Sequence, residues 1–385
     1  MELCPHFGVC GGCKSQNIPY ANQLQIKRDE INAAFSSAGH AEQIASVLPC
    51  PEIFYYRNRM DYVVGWNGAV GLKEAGSWSR YVDLKTCLLL DETAPTILET
   101  VRLLMRELKI QPWDAKFYRG LLRYVVIRCG KNTCERMITL IVHDLKLVDE
   151  KMRAEITRHL APLCTTLYLG ENPEITDLSL AKALVLLHGN EYLTEEVNGL
   201  RYRIHPNSFF QTNTLMAAEL QNIVLSFLPV SHFTPAHRSF SEGGLRVSDL
   251  YCGLGFFGIA CAKRGAAVFA QEIDENAIIL AKQNAELNGV SSQMNFVAAA
   301  VENLDWQTEK PDVVILDPPR SGLHPRVIKT ILEKQPPHVI YVSCNYKHLA
   351  EELKQFKSIY RVERLAALDL FPHTPHVEVV VKLSR

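Results

Sequence analysis

From about residue 200 onward, short apolar runs alternate with helical segments or turns. The runs are LRVSDLY, AAVFAQEID, MNFVAAAVENL, DVVILDPP and HVIYVSCN. Near-continuous apolar runs are typical of strands that are buried on both faces, and strands that alternate with helices build parallel sheets. The pattern therefore predicts a Rossmann-like, doubly wound α/β domain over residues 201–385. Such a domain binds its ligands at the carboxyl ends of its strands.

The first half of the chain has a different texture. Residues 1–95 begin rich in Cys and Gly, and then show a helical pattern, YANQLQIKRDEINAAFSSAG, with Gly39 as its expected end. Over residues 96–200, strand-like runs such as RYVVIRCG and RMITLIVHD accompany a charged helix candidate, VDEKMRAEITRHL. This region is predicted to form a small α+β central domain that contacts RNA. Residues 1–95 are predicted to hold the cysteine segment and the start of that domain.

Bulk properties exclude some classes of protein. The 385 residues carry a net charge of −1, so the chain is not a generally cationic nucleic-acid coat, and any RNA contact must use local patches. No apolar run approaches the roughly 20 residues that span a bilayer, and no basic region precedes an apolar stretch at the N-terminus. We therefore expect a cytoplasmic protein without a membrane partner, and no segment indicates an obligate protein partner. Eleven cysteines are then expected to be thiols or metal ligands rather than disulfides.

The segment DLYCGLGFFGIACA joins a strand, a glycine-containing turn and a helix of small residues. Gly253 and Gly255 would let the backbone approach a nucleoside closely, because a Cβ would block that approach. Glu272 closes the second strand, where its carboxylate can accept hydrogen bonds from both ribose hydroxyls. The string also reads GxGxxG through Gly258, so NAD binding and a purely structural turn remain open alternatives.

Three later segments place reactive groups where strands end. In ILDPPRSGLHP, Asp317 follows an apolar strand, and Arg320 could bind a phosphate or fix a loop. Cys344 follows HVIYVS and so reaches the same edge, where Lys347 could favour its thiolate. Glu378, in FPHTPHVEVV, is a candidate base. The plain alternatives are a strand terminator at Pro-Pro, a packing cysteine and a surface carboxylate.

The N-terminal cysteines form a second group. Cys4, Cys10 and Cys13 lie in CPHFGVCGGC, and Cys87 follows much later in DLKTCLLLD. Four thiolates suit either a 4Fe–4S cluster or a Cys₄ zinc site. Zinc usually favours two CxxC-like pairs, whereas the fourth ligand here is isolated, so the pattern favours the iron–sulfur cluster over zinc.

Taken together, HPNSFFQTN, DLYCGLG, DPPR, YVSCN and FPHTPHVE resemble the motif series of the RNA 5-methyluridine methyltransferases. The resemblance covers residues 200–385 and implies a class I methyltransferase domain that uses S-adenosyl-L-methionine. It implies that Cys344 is the nucleophile and Glu378 the general base. The cysteine segment resembles the iron–sulfur segment of the ribosomal-RNA members. Many of those members carry an OB-like domain before that segment, whereas this chain begins directly at the cysteines. The cofactor contacts implied are Gln211, Tyr251, Gly253, Gly255, Glu272 and Asp317.

The implied reaction is thiolate attack on carbon 6 of a uracil, methyl transfer to carbon 5 and proton removal by Glu378. A uracil in structured RNA must leave its stack to reach such a site. The expected substrate is 23S ribosomal RNA, with transfer RNA as the alternative. Two other readings stay open at this point: a methyltransferase of exocyclic nitrogens, which has no use for Cys344, and a non-catalytic RNA-binding factor.

RNA contacts are predicted from basic residues on the central strands and from the loops HPNSFFQ and SGLHPR. Basic residues interleaved with aromatic ones suit phosphate contact and base stacking, although a charged strand face is often only solvated. The basic residues are Arg119, Arg123, Arg128, Lys131 and Arg136.

Overall fold

The computed structural model describes residues 3–229, 244–303 and 310–385. Its helices in these ranges are α1 Tyr20–Ser37, α2 Ala94–Glu107, α3 Glu150–Leu160, α4 Thr214–Phe227, α5 Phe256–Lys263, α6 Glu275–Leu287, α7 Pro325–Lys334 and α8 Tyr346–Phe356. Its strands are β1 Val47–Leu48, β2 Arg59–Val64, β3 Val70–Lys73, β4 Tyr81–Asp83, β5 Leu122–Cys129, β6 Arg136–Val142, β7 Thr166–Glu171, β8 Ala183–Gly189, β9 Leu193–Val197, β10 Leu200–Ile204, β11 Arg246–Leu250, β12 Ala267–Glu272, β13 Met294–Ala298, β14 Val313–Leu316, β15 His338–Ser343, β16 Arg361–Leu368 and β17 Glu378–Ser384.

The C-terminal sheet has the strand order β1-β16-β17-β15-β14-β11-β12-β13. Strands β11 to β15 are parallel, whereas β17 runs antiparallel to both of its neighbours, β15 and β16. In β14, Val313 and Ile315 belong to one apolar cluster, and Val314 and Leu316 to another. Because alternate side chains face opposite layers, both faces of the sheet are covered, and the predicted doubly wound α/β arrangement is confirmed.

The strand order reverses direction at β11, whose neighbours are β12 on one side and β14 on the other. A crevice for ligands forms at such a point, outside the carboxyl ends of the strands. The segments after β11, β12, β14 and β15 all reach this edge. These are the segments in which polar and glycine residues predicted a site. The fold therefore fixes where a site can lie.

A second sheet has the order β4-β3-β2-β5-β6-β7-β8 and is antiparallel except for the pair β6 and β7. The strands β5 to β8 correspond to the predicted runs of the central region. The strands β2 to β4 come from before residue 95 and join through β2, where Arg59 lies opposite Arg128. The pairing of β2 with β5 is not local in sequence, and it brings strands from before residue 95 into one sheet with the strands of the central region.

The N-terminal segment also belongs to the C-terminal sheet. The predicted helix is α1, whose Ile31 and Phe35 are fully buried, and β1 extends the sheet through β16. Lys27 Nζ donates to Asp369 Oδ1 at 2.7 Å within the protein interior. Helix α1 is thereby fixed against the loop that precedes β17.

The cysteine segment also contacts the C-terminal part of the chain. The backbone N–H of Lys14 donates to the carbonyl oxygen of His373 at 2.8 Å, which places the segment beside the FPHTPH loop. Along the chain, β9 and β10 come after the last strand of the second sheet, and they form a hairpin that leads into α4. In the part of the chain that the structure describes, no helix combines the length and apolarity needed to cross a membrane.

Candidate active site

The predicted reactive residues meet at the carboxyl edge of the C-terminal sheet. Cys344 directly follows β15, and Glu378 is the first residue of β17. These strands are antiparallel neighbours in which Ser343 lies opposite Val379, so Cys344 and Glu378 adjoin at the end of one ladder. The thiol and the carboxylate, 34 positions apart in sequence, therefore lie side by side.

Burial and charge set the protonation of this pair. Burial raises the pKa of the half-buried Cys344 thiol, the charge of Glu378 raises it further, and the Arg320 guanidinium opposes both effects. Glu378 is only 5% exposed, and burial raises the pKa of its carboxyl well above its usual range. The charge of Asp317 adds to that rise and Arg320 again opposes it. Arg320 is thus the cation shared by the nucleophile and the candidate base.

This cation differs from the one predicted. Lys347 is exposed, and its ammonium lies 5.9 Å from the centroid of the Tyr346 ring. The expectation that Lys347 favours the Cys344 thiolate is corrected, because α8 begins at Tyr346 and turns Lys347 towards solvent. The cation that acts on the Cys344 thiol is instead Arg320, which belongs to the DPPR segment. The carbonyl oxygen of Arg320 accepts a hydrogen bond from Asn345 Nδ2 at 3.3 Å.

Replacing Arg320 with Gln is expected to shift the pH dependence of Cys344 alkylation upward. Loss of the guanidinium removes the charge that lowers the pKa of the thiol, so iodoacetamide should react about three- to tenfold more slowly at pH 8. Mass spectrometry of the peptide that contains Cys344 measures the rate. Lys347→Gln serves as the matched control and should leave the profile unchanged. A shift in the Lys347 variant alone would contradict this assignment.

Gln211 and Asp317 form a second pair at the edge. Gln211 Nε2 donates to Asp317 Oδ2 at 3.5 Å, and the carbonyl oxygen of Gln211 accepts from Asn58 Nδ2 at 2.8 Å. Asn58 directly precedes β2, so this bond ties the HPNSFFQ loop to the central sheet. Burial raises the pKa of Asp317 to about 7. The Asp317 carboxyl can therefore be either protonated or ionised near neutral pH, and so can either donate or accept a hydrogen bond.

The glycine turn after β11 is held by a carboxylate from β12. Tyr251, Gly253 and Gly255 all have positive φ, at 63°, 51° and 82°. Glu272 Oε2 accepts from the N–H of Gly253 at 3.2 Å, and Glu272 Oε1 accepts from the N–H of Ile273 at 2.8 Å. A Cβ on Gly253 would meet no atom within 4 Å, which leaves the turn open on the side where a ligand could approach.

The third glycine of the string has a different role. The N–H of Gly258 donates to Asp249 Oδ2 at 2.7 Å, and a Cβ on Gly258 would lie 2.8 Å from that oxygen. Burial raises the pKa of Asp249 to about 7. Gly258 is therefore required by packing against a carboxyl that the sequence reasoning did not single out. Its only signal was a carboxylate within a short strand, β11, that also carries Arg246 and Ser248.

Comparison with known proteins assigns this architecture to one family. Residues 99–385 match the family model described as tRNA (Uracil-5-)-methyltransferase. The chain belongs to this family. It is 36% identical over 380 residues to the tRNA (uracil(54)-C(5))-methyltransferase of Pyrococcus horikoshii, covering 99% of this chain and 85% of that protein. It is 34% identical over 384 residues to the 23S rRNA (uracil(747)-C(5))-methyltransferase of Pyrococcus abyssi, with coverage of 99% and 85%.

A solved structure supports the same assignment. The tRNA (uracil-54, C5)-methyltransferase of Pyrococcus abyssi, in complex with S-adenosyl-L-homocysteine, aligns with a TM-score of 0.81 at 33% identity. The alignment covers 98% of this chain and 86% of that one. The protein is therefore an S-adenosylmethionine-dependent RNA uracil-C5 methyltransferase, as the motif series predicted. The relatives named for transfer RNA favour that alternative over the expected 23S ribosomal RNA.

The cysteine group lines a cavity of its own. The four cysteine side chains line one small cavity together with His6. Burial raises the pKa of the Cys10, Cys13 and Cys87 thiols, and the neighbouring thiols raise it further, so that the pKa of Cys13 is about 11. Within residues 3–229, 244–303 and 310–385, no group of three or more His, Cys, Asp or Glu side chains is arranged to hold a metal ion. The thiols thus have the chemistry of a cluster site and share a cavity, but do not stand at coordinating positions. They are Cys4, Cys10, Cys13 and Cys87.

Most of the predicted RNA-contacting cations point inward. Arg123 donates to the carbonyl oxygens of Glu174 at 2.6 Å and Asn172, and Arg128 to that of Pro206 at 3.2 Å. Both arginines lie on β5, which is buried along its whole length because other segments cover each face. The prediction of an RNA surface is therefore wrong for Arg128. Arg123 lines a cleft on the central sheet, but its guanidinium is already engaged by backbone carbonyl oxygens.

Two of the remaining predicted cations also bind groups within the protein. Arg136 is paired with Asp91 at 2.9 Å, and Lys131 Nζ donates to the carbonyl oxygen of Tyr55 at 2.7 Å. The charged groups of Arg136 and Lys131 therefore have partners within the protein. Only Arg119 of the five is exposed.

Proposed function

We propose that the protein methylates carbon 5 of a uridine in transfer RNA, with Cys344 as the nucleophile and Glu378 as the base. The observation that carries this proposal is the adjacency of the two side chains across β15 and β17. A covalent mechanism needs a thiol and a proton acceptor that both reach one ring. A methyltransferase of exocyclic nitrogens would leave this pair without a role.

The first step is attack by the Cys344 thiolate on carbon 6 of the uracil. The S–C6 bond forms, and the electron pair of the C5–C6 double bond moves to give an enolate at oxygen 4. Carbon 5 becomes nucleophilic enough to accept a methyl group only in this state. Arg320 assists, since its charge lowers the pKa of the thiol.

When bound, S-adenosyl-L-methionine would supply the methyl group to carbon 5 and leave as S-adenosyl-L-homocysteine. Glu378 then accepts the proton from carbon 5, the C6–S bond breaks, and Cys344 leaves as a thiolate while the double bond reforms. A carboxylate whose pKa is raised by burial is a stronger base than an exposed one, which suits removal of a carbon-bound proton near neutral pH.

The remaining edge residues are proposed to position the two substrates. Tyr251, Gly253, Gly255 and Glu272 would hold the nucleoside of the methyl donor, since the turn is open at Gly253 and the Glu272 carboxylate accepts from the N–H of that glycine. Gln211 and Asp317 would contact the donor or the uracil edge, because both donors and acceptors are present in that pair.

The substrate can be identified by supplying RNAs to the purified protein. We expect a transfer RNA transcript to gain one 5-methyluridine, at the uridine-54 position for which the two Pyrococcus transfer RNA enzymes compared above are named. Nuclease digestion and mass spectrometry of the product RNA map that position. A transcript with that uridine replaced by cytidine is the matched control. A 23S fragment is the second candidate, favoured by the relative that modifies uracil 747. Methylation of the fragment alone would overturn the transfer RNA proposal.

We also propose that the four cysteines hold a 4Fe–4S cluster, with zinc as the less favoured occupant. The support is their donor set and the single cavity they line. The cluster would supply a crosslink between the N-terminal loop and the start of the central sheet. The loop already meets that sheet, because the N–H of Gly11 donates to the carbonyl oxygen of Lys73 at 2.9 Å.

Replacing Cys87 with Ser is expected to remove the bound iron. Anaerobically purified protein should contain about four iron atoms per chain and absorb broadly in the visible region, and the variant should lose both signals. Cys134→Ser is the matched control, because Cys134 is exposed and lies outside the group. Zinc without iron in the unaltered protein would contradict the cluster.

A further inference from the structure

A second cleft, of about 610 Å³, lies on the central sheet. We call it the aromatic cleft, and its walls carry Trp66, Trp78 and Phe117, which are 60%, 84% and 58% exposed. The buried rings of Trp113 and Tyr124 also line it. Large rings clustered in this way present apolar surface to water, which indicates a binding function.

Cations accompany the rings. Lys73 Nζ lies 5.2 Å from the centroid of Trp78, and Lys116 Nζ lies 5.2 Å from that of Phe117. The guanidinium carbon of Arg119 lies 5.1 Å from the same Phe117 centroid. Exposed rings flanked by cations suit unpaired nucleic acid, whose bases stack on the rings while its phosphates meet the charges. An apolar protein partner would have no use for these charges.

Two carboxylates also reach the aromatic cleft, and both already have partners. Asp177 forms an ion pair with Lys73 and accepts from the Tyr124 hydroxyl at 2.6 Å. Asp114 accepts from the backbone N–H of Lys116 at 3.0 Å. Their charge is therefore partly satisfied within the protein, and Lys116 and Arg119 remain at the rim for a phosphate.

The aromatic cleft continues towards the catalytic edge. An adjoining cleft of about 670 Å³ shares Lys73, Tyr124 and Asp177 with it. The adjoining cleft extends to Thr212, next to Gln211, and to His376, two positions before Glu378. A strand of RNA laid along the two clefts would thus pass from the exposed rings to the proposed nucleophile.

We propose that the aromatic cleft seats an unpaired nucleotide of the RNA substrate, stacked on Trp66, Trp78 or Phe117. The adjoining cleft leads the chain from that nucleotide to Cys344. This inference rests on the proposed function for the identity of the RNA. It assigns the cleft a binding role of its own, separate from the chemical step.

Fluorescence and affinity measurements on the full chain test this role. An unmodified transfer RNA transcript should quench the emission of the exposed tryptophans, and the double variant Trp66→Ala/Trp78→Ala should lose that quenching. The same variant should bind the transcript about 10-fold more weakly and show a raised KM, with kcat and S-adenosyl-L-homocysteine affinity unchanged. Trp66→Phe/Trp78→Phe should keep the affinity within about threefold, because stacking is retained.

Leu147→Ala is the matched control, since Leu147 is 58% exposed and lies outside the aromatic cleft. Equal affinity of the double alanine variant and the unaltered protein would overturn the proposal, as would equal weakening by the phenylalanine variant. A change of oligomeric state without a change in RNA affinity would also overturn it. Binding is measured without the methyl donor. Intact quenching with no 5-methyluridine formed would therefore count against the proposed reaction and not against the cleft.

Discussion

Replacing Cys344 with Ala is expected to abolish methylation, lowering kcat by more than about 10³-fold. Carbon 5 of uracil cannot displace a methyl group from a sulfonium until a nucleophile has added to carbon 6, so the loss of the thiol removes the reaction path itself. Cys252, on the turn after β11, offers no substitute. It is 5% exposed, and burial raises the pKa of its thiol well above the usual range. Transfer of a radiolabelled methyl group to transfer RNA measures the effect.

The controls separate a lost nucleophile from a damaged site. S-adenosyl-L-homocysteine should bind Cys344→Ala as tightly as the unaltered protein in a calorimetric titration, because the proposed donor contacts lie on the turn after β11 and at Glu272. Cys134→Ala, a change to an exposed thiol away from the edge, should keep full activity. Turnover by Cys344→Ala within tenfold of the unaltered protein would refute covalent catalysis by this residue.

The strand ends could be predicted from local sequence. The run before Asp317 is apolar over four residues, and the six-residue run before Cys344 is apolar from Val339 to Val342. The structure shows strands that end where these runs meet polar side chains. Parallel strands that alternate with helices must place such ends on one edge, so the approximate site follows from periodicity and the connection rules.

The adjacency of Cys344 and Glu378 could not be predicted in that way. It depends on β17 entering antiparallel between β15 and β16, and no spacing or composition specifies that insertion. The pairing is non-local, and only the resemblance of FPHTPHVE to known motifs indicated it. The choice of Arg320 over Lys347 likewise depends on which way α8 turns its first residues.

Burial of basic side chains was the largest error. The pattern of β5 places Arg123 and Arg128 among apolar residues, and charged residues in such a strand are usually expected at the surface. Here segments distant in sequence supply carbonyl acceptors, at Glu174 and Pro206 among others. Whether an arginine faces RNA or a carbonyl depends on which loop covers it, and strand periodicity does not contain that information.

Replacing Glu378 with Gln is expected to trap the RNA on the protein. Methyl transfer should still occur, but an amide cannot accept the carbon-5 proton, so the C6–S bond to Cys344 persists. We expect about one RNA bound per chain after incubation with S-adenosyl-L-methionine, and turnover lowered by about 10²- to 10⁴-fold. A band of protein plus transfer RNA that survives denaturing electrophoresis measures the adduct. The double variant Cys344→Ala/Glu378→Gln should give no such band.

The pH dependence distinguishes a base from a residue that only shapes the site. In the unaltered protein, adduct breakdown should slow as the pH falls through the raised pKa of Glu378, because the protonated carboxyl cannot take a proton. In Glu378→Gln the breakdown should be slow at every pH. A trapped adduct with the same pH profile in both proteins would contradict the assignment.

Stability supplies the independent readout for the same variant. A carboxyl whose pKa is raised on folding contributes stability below its unfolded pKa and loses it as the pH rises through its folded pKa. Glu378→Gln removes this loss, so its melting temperature should exceed that of the unaltered protein by about 2 °C or more at pH 8 and by less at pH 5. A variant that melts higher yet cannot release RNA has kept its fold and lost its base, which is the combination that a purely structural Glu378 cannot produce.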